Sequence, residues 1–114
     1  MKFYKIDDQV VITDKDISAG TELIPNTTDA ANEKHVPVVE IKSNTVTVKV
    51  GSVEHPSLPA HYIEFIALET DKGMQMKWGK PNVTPTAVFQ INGDETVLTA
   101  YEYCNLHGLW KAEV

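Results

Sequence analysis

The sequence predicts an all-β protein, an immunoglobulin-like antiparallel β-sandwich of about seven strands with a short N-terminal extension. Short apolar runs alternate with polar residues, and turn formers separate these runs at frequent intervals. No segment keeps a helical period over the length of an ordinary helix. With 114 residues, 42% hydrophobic and 23% charged, the chain has the size and composition of one soluble globular domain.

The strands of the sandwich follow one another from residue 37. The predicted strands cover residues 37–42, 45–50, 62–69, 74–78, 87–91, 95–101 and 109–112. The run 45–50 alternates strictly, with Val46, Val48 and Val50 on one face. Asn92-Gly93 is the strongest short hairpin signal and predicts that the two strands around it pair.

Residues 1–27 differ from the rest, and we expect them to form a separate short extension before a domain over 28–114. One or two small strands lie within 3–12, and a string of turn formers follows them. Residues 28–33 could form one helical turn capped by Thr28 or Asp29.

Bulk charge and hydropathy exclude several classes of protein. The net charge of −6, without a basic cluster, argues against nucleic acid as a partner. No apolar run approaches the roughly 20 residues that cross a bilayer, and the N-terminus lacks the apolar core of a signal peptide. We therefore expect a cytoplasmic protein with no membrane partner. A single cysteine excludes an internal disulfide.

The rare side chains of the sequence suggest one metal site. The chain has four histidines and one cysteine: His35, His55, His61, Cys104 and His107. Cys104 and His107 share a tight turn, while His55 and His61 bracket a loop that two prolines stiffen. A lone histidine or buried cysteine is ordinarily a plain structural residue. Here all five fall in loops or at strand ends, where a sandwich can bring them together.

The donor types favour iron among the metals. Structural zinc sites are tetrahedral and rich in cysteine, which four imidazoles and one thiolate do not match. Five ligands leave one octahedral position open, which suits a redox-active iron. A ferrous ion with these ligands keeps a net positive formal charge, so it attracts a small anion although the protein is acidic.

Two other functions compete with an iron enzyme. An electron carrier with a type-1 copper site also uses a sandwich and a cysteine close to a histidine, but it needs an axial methionine just downstream. Met74 and Met76 precede Cys104, and no methionine follows it. The other alternative is a binding or structural module in which the metal is incidental.

Four motifs resemble the iron-binding motifs of superoxide reductases, the neelaredoxin and desulfoferrodoxin family. They occupy residues 33–37, 50–56, 61–64 and 103–111, and the resemblance covers about 28–114. It implies an immunoglobulin-like sandwich and one iron ion per chain, with four equatorial histidines and Cys104 as the axial thiolate. It also implies the reaction, the one-electron reduction of superoxide to hydrogen peroxide without release of dioxygen.

The resemblance extends to Glu33 and Lys34. Glu33 corresponds to a carboxylate that can occupy the sixth position of the ferric resting state, and Lys34 to a lysine beside the open site. An ammonium there would raise the local concentration of superoxide and could order a water that supplies a proton. Without the resemblance, Glu33 and Lys34 would be an ordinary solvated charge pair.

The N-terminus departs from the desulfoferrodoxin pattern. Desulfoferrodoxins carry a second iron on four cysteines, but here Ile6 and Gln9 stand where a Cys-x-x-Cys pair would be. We expect residues 1–27 to be a shortened remnant, packed against the sandwich or a neighbouring subunit; the alternative is a mobile tail. The resemblance implies rubredoxin or a similar small donor of electrons. It also implies a homo-oligomer, a dimer or tetramer, in which strand 45–50 could pair across subunits.

Overall fold

The computed structural model describes all 114 residues and contains ten strands and one short helix. The strands are β1 (Lys2–Ile6), β2 (Gln9–Thr13), β3 (Thr21–Glu22), β4 (Pro37–Lys42), β5 (Thr45–Val50), β6 (Ile63–Thr70), β7 (Gly73–Trp78), β8 (Thr86–Gln90), β9 (Val97–Cys104) and β10 (Gly108–Glu113). The helix α1 (Asn32–His35) has four residues, so no helix of the chain could cross a membrane.

Seven strands form the predicted sandwich. A three-stranded antiparallel sheet in the order β4-β5-β8 packs on a four-stranded antiparallel sheet in the order β10-β9-β6-β7. Val46, Val48 and Val50 are at most 1% exposed and share one core with Leu68 and Phe89. These two packed antiparallel sheets confirm the predicted fold class. Strict alternation in β5 explains the packing, since it turns one apolar face of the strand toward the facing sheet.

Three local predictions were wrong. Asn92-Gly93 does not close a hairpin, since β8 pairs with β5 and β9 lies between β6 and β10 in the other sheet. The strand 45–50 is β5, the central strand of its sheet, so it offers no free edge to a second subunit. The helical turn lies at α1 rather than at 28–33, and its N-cap, Ala31, makes no side-chain capping bond.

The N-terminal segment forms a third sheet, in the order β2-β1-β3, on the outer face of the four-stranded sheet. Phe3 is 1% exposed, and its ring lies 4.6 Å from that of Tyr101 and 6.2 Å from that of Phe65. Lys5 Nζ donates a hydrogen bond of 2.9 Å to the hydroxyl of Tyr103. The segment is thus packed on the strand β9, which ends at Cys104.

Side chains bridge the two sheets where their edge strands β7 and β8 face each other. Gln75 Nε2 donates to the backbone oxygen of Gln90 at 2.8 Å, and Lys77 Nζ donates to that of Val88. These bonds occupy carbonyl groups of β8 that no neighbouring strand uses. They blunt an edge that could otherwise pair with another chain.

Candidate metal centre

Loops at one end of the sandwich carry all five histidine and cysteine side chains. His35 is the last residue of α1, just before β4. His55 and His61 lie in the connection from β5 to β6, Cys104 ends β9, and His107 lies in the turn to β10. No regular element would place these five residues together by itself, so the contacts among the loops determine the site.

The helix α1 sits directly on the loop that follows β5. The backbone oxygen of Glu33 accepts hydrogen bonds from Val53 N at 2.8 Å and Ser52 Oγ at 3.2 Å. A Cβ atom on Gly51 would lie 2.7 Å from that same oxygen and 3.0 Å from the backbone oxygen of Val36. A glycine is therefore required for this approach, which brings His35 to the other histidines.

A second set of hydrogen bonds ties the His55–His61 loop to the cysteine turn. Leu58 and His61 exchange two backbone hydrogen bonds of 2.9 and 3.0 Å, which close the loop. The side chain of Asn105 accepts from Tyr62 N and donates to Ala60 O, both at 3.0 Å. Asn105 directly follows Cys104, so these bonds hold the two ligand-bearing loops in register.

The four imidazoles form a closed ring in the order His35, His55, His61, His107. Successive ring centroids lie 4.7, 4.6, 5.1 and 5.0 Å apart, and neighbouring planes meet at 63–82°. Cys104 Sγ lies 3.4 Å from His55 Nε2 and 4.0 Å from His107 Nδ1. The donor atoms of His35, His55, His61 and Cys104 are all within 4.8 Å of one another.

Hydrogen bonds on the outer nitrogens indicate which ring atoms face the cluster. His35 Nδ1 contacts Glu102 at 3.2 Å and His55 Nδ1 contacts Pro56 O at 2.7 Å, which leaves the Nε2 atoms of both rings for the centre. His107 presents Nδ1, 3.2 Å from His35 Nε2. His61 Nε2 is buried and has no hydrogen-bond partner. A buried nitrogen without a partner is costly, and a metal ion would satisfy it.

Burial sets the protonation of the cluster. Desolvation, followed by the charges of the neighbouring histidines, lowers the pKa of His35 to about 4. Burial also lowers the pKa of His55 and of His61. The pKa of the Cys104 thiol is raised, mainly by burial, although backbone N–H groups of Leu106 and His107 act against this. Neutral imidazoles with free lone pairs are what a metal ion needs.

Glu33 and Lys34 lie on α1, the helix that ends at His35. Both are exposed residues of α1, directly before His35 in sequence. The positive charge of Lys34 contributes to the lowered pKa values of His35, His55 and His61. The lysine therefore adds positive potential at the cluster, although the chain as a whole is acidic.

Glu102 and Trp110 also belong to this site, and sequence reasoning missed both. Glu102 is fully buried, and Oε2 of its carboxyl group is the contact of His35 Nδ1. Trp110 stacks on the His35 ring at 4.9 Å and 15°, and its Nε1 donates to His107 O at 3.1 Å. The signal for Glu102 was strand alternation, which places it on the same face of β9 as Cys104.

Fold and site together define a class of protein, the β-sandwich proteins with a candidate mononuclear metal site of histidines and one cysteine at one end. The chain belongs to the desulfoferrodoxin family, whose sequence model matches residues 27–113. Superoxide reductases and desulfoferrodoxins are among its relatives, so the resemblance noted in the motifs is confirmed. The copper-carrier alternative finds no support among them.

Three similar proteins illustrate the relationship. A desulfoferrodoxin from Clostridium acetobutylicum is 45% identical over 103 residues, covering 87% of this chain and 80% of the relative. The crystal structure of the superoxide reductase from Treponema pallidum matches with a TM-score of 0.89 and 37% identity over 99% of both chains. A one-iron superoxide reductase from Giardia intestinalis matches with a TM-score of 0.63 and 32% identity, over 72% of this chain and 97% of its own.

Proposed function

We propose that the protein is a superoxide reductase, an oxidoreductase that reduces superoxide to hydrogen peroxide. One observation carries the proposal: four imidazoles form a closed ring, and a single buried thiol approaches two of them. The relatives that bear this name support it. Superoxide gains one electron and two protons in the reaction, and no dioxygen forms.

We infer that the resident metal is iron and that five side chains would hold it: His35, His55, His61, Cys104 and His107. Four imidazoles and one thiolate suit a redox-active iron and do not suit a structural zinc site. The name of the Giardia relative specifies one iron. When bound, the iron would supply one electron to superoxide by passing from the ferrous to the ferric state.

Lys34 and Glu33 act on substrate and product. The ammonium group of Lys34 attracts the superoxide anion toward the cluster, an effect that fades with salt. It also orders a water molecule that can donate a proton to the reduced product. The carboxylate of Glu33 competes with the product anion for the same place and promotes its release.

The surrounding protein keeps the site dry on one side and open on the other. Cys104 is fully buried, and His35 and His55 are each 2% exposed, so water does not reach the thiol side. His61 and His107 are half-buried, which leaves the cluster accessible to a small anion along these two rings. Low dielectric on the closed side strengthens each charge interaction at the site.

We also propose a domain organisation, an electron donor and an oligomeric state for the protein. Residues 1–27 are an extension without metal, a remnant of a larger domain, and residues 28–114 are the iron-binding domain. Cys104 is the sole cysteine, so these residues cannot hold a second, cysteine-bound iron that would pass electrons to the site. We therefore infer that electrons come from rubredoxin or a similar small carrier. We further propose a cytoplasmic homo-oligomer, a dimer or tetramer, which light scattering on the purified protein would measure.

Single-turnover kinetics test the function. The iron-loaded, reduced protein is mixed with superoxide, and hydrogen peroxide and dioxygen are both quantified. We expect one peroxide for each superoxide consumed and no dioxygen, with activity abolished in His35→Ala and Cys104→Ala. Lys72→Ala, at the far end of β6, should behave as the parent protein does. Dioxygen released at half the superoxide consumed, or no consumption, would overturn the proposal.

A further inference from the structure

Glu102 is an acidic residue in the core of the sandwich, where acidic residues are rare. It lies on the inner face of β9 between Ala100 and Cys104, both members of the sandwich core, and is 0% exposed. Its Oε1 has no hydrogen-bond partner, and its Oε2 contacts only His35 Nδ1. A buried carboxyl group with so few partners destabilises the fold. Such a residue is better explained by the site than by packing.

When the carboxyl group of Glu102 acts as the acceptor, its contact selects which nitrogen of His35 can bind a metal. Oε2 of Glu102 can accept a hydrogen bond from His35 Nδ1 only if that nitrogen carries the proton. The lone pair of the neutral ring then lies on Nε2, which faces His107 Nδ1 at 3.2 Å. An acceptor on the outer nitrogen is the usual way in which proteins orient a ligating histidine.

Trp110 restrains the same ring from a second direction. Trp110 is the direct cross-strand partner of Glu102 in the β9–β10 pair, and its indole stacks on the His35 ring. The carboxyl group therefore determines rotation of the imidazole within its plane, while the indole determines the plane itself. Because the pairing of β9 with β10 positions both residues, His35 is oriented by the sheet and not by its own loop.

We propose that Glu102 is a positioning residue for the metal centre, which holds His35 in the Nδ1–H tautomer with Nε2 directed at the ion. The proposal rests on the metal site assigned above and adds a residue that is not itself a ligand. It distinguishes His35 from His55, whose outer nitrogen uses a backbone oxygen that no side-chain substitution removes.

Metal titration of three proteins tests this role. The apo forms of the parent, Glu102→Gln and Glu102→Leu are titrated with Co²⁺, and affinity and the thiolate-to-cobalt absorption are recorded. Glutamine keeps an acceptor oxygen, so we expect affinity within about threefold of the parent. Leucine removes it, and we expect a loss of about 10- to 100-fold. An unchanged affinity and spectrum for Glu102→Leu would overturn the proposal.

Two controls separate positioning from folding. Thr99→Val removes another buried polar group from β9, on its opposite face, and should leave Co²⁺ binding unchanged. In a His35→Ala background, Glu102→Leu should cause no further loss of affinity, because its target is gone. An additional loss there would assign the effect to the fold and would contradict the positioning role.

A measurement on the parent protein needs no variant. Nitrogen-15 NMR of the histidine rings in the apo protein reports the tautomer of each ring, and we expect Nδ1–H for His35. A protonated Nε2 would overturn the proposal even if Glu102→Leu failed to fold. Neither cobalt binding nor the tautomer depends on superoxide turnover, so these results are independent of whether the proposed activity is found.

Discussion

At the scale of single residues, Lys34 is the charge that distinguishes the site from the acidic molecule around it. We expect Lys34→Ala to retain the metal but to react with superoxide about three- to tenfold more slowly at low salt, because steering of the anion is lost. The salt dependence of the rate should flatten as well. Stopped-flow rates at several ionic strengths measure both effects.

The matched control for Lys34 is Lys72→Ala, which removes the same charge from the tight turn after β6. Its rate at each salt concentration should follow that of the parent protein. Equal rates for the parent protein and Lys34→Ala at low salt would exclude the steering role.

Gly51 is a residue whose missing side chain matters. In Gly51→Ala the new methyl group would press on the backbone oxygen of Glu33, so α1 and His35 must move away from the other histidines. We expect Co²⁺ affinity to fall about tenfold and stability by about 1–3 kcal/mol. Gly93→Ala is the control, since a Cβ there meets only Asn44 Oδ1, at 3.9 Å. Equal affinities for both variants would contradict the prediction.

The histidines and the cysteine could be predicted as a group because these residue types are scarce in the chain and all lie outside strand interiors. Glu102 could not, since a glutamate in a strand ordinarily faces solvent. The only sequence signal that Glu102 faces the core is its position two residues before Cys104 in the same strand. Its contact with His35 joins residues that are 67 positions apart. The nitrogen that His35 presents to the cluster depends on this distant partner and has no local sequence signal.

At the scale of elements, the N-terminal sheet is bound to the sandwich by one aromatic side chain above all. We expect Phe3→Ala to destabilise the protein by about 3–5 kcal/mol, because it empties a site packed by Phe65 and Tyr101. Urea unfolding measures this loss, and the folded fraction should still bind Co²⁺ with parent affinity.

Ile24→Ala serves as the control for Phe3→Ala, because Ile24 is 55% exposed in the same segment. Its effect on stability should stay below about 0.5 kcal/mol. If Phe3→Ala proved equally mild, the segment would contribute little to the sandwich, and the alternative of a mobile tail in solution would gain support.

The strands could be predicted where local alternation defines a buried face, as in β5. Their partners could not, because pairing is decided by contacts between distant parts of the chain. Asn92-Gly93 has the composition of a hairpin turn, yet the strands on either side of it belong to different sheets. The packing of the four-stranded sheet against β5 outweighs the local preference of Asn92-Gly93 for a hairpin turn.

At the scale of the whole molecule, protonation and metal binding are linked. At pH 8 the lowered pKa values of His35, His55 and His61 keep these rings neutral, while the raised pKa of Cys104 keeps its thiol protonated. Binding of a divalent ion should therefore release about one proton, from Cys104, and affinity should rise about tenfold per pH unit between pH 7 and 8.

Calorimetric titration with Co²⁺ in two buffers of different ionisation enthalpy counts the released protons. Cys104→Ala should bind more weakly and release none. A value near zero for the parent protein would mean that the thiolate already exists in the apo form, and a value of two or more would mean that a histidine is protonated.

The separation in sequence between the four histidines of the cluster has a consequence for biosynthesis. His35 Nε2 and His107 Nδ1 lie 3.2 Å apart, although the two residues are 72 positions apart in the chain. A nascent polypeptide on the ribosome cannot bring the four imidazoles together until residue 107 has emerged. A translation product that stops before residue 107 would lack one of the four imidazoles and could not complete the cluster.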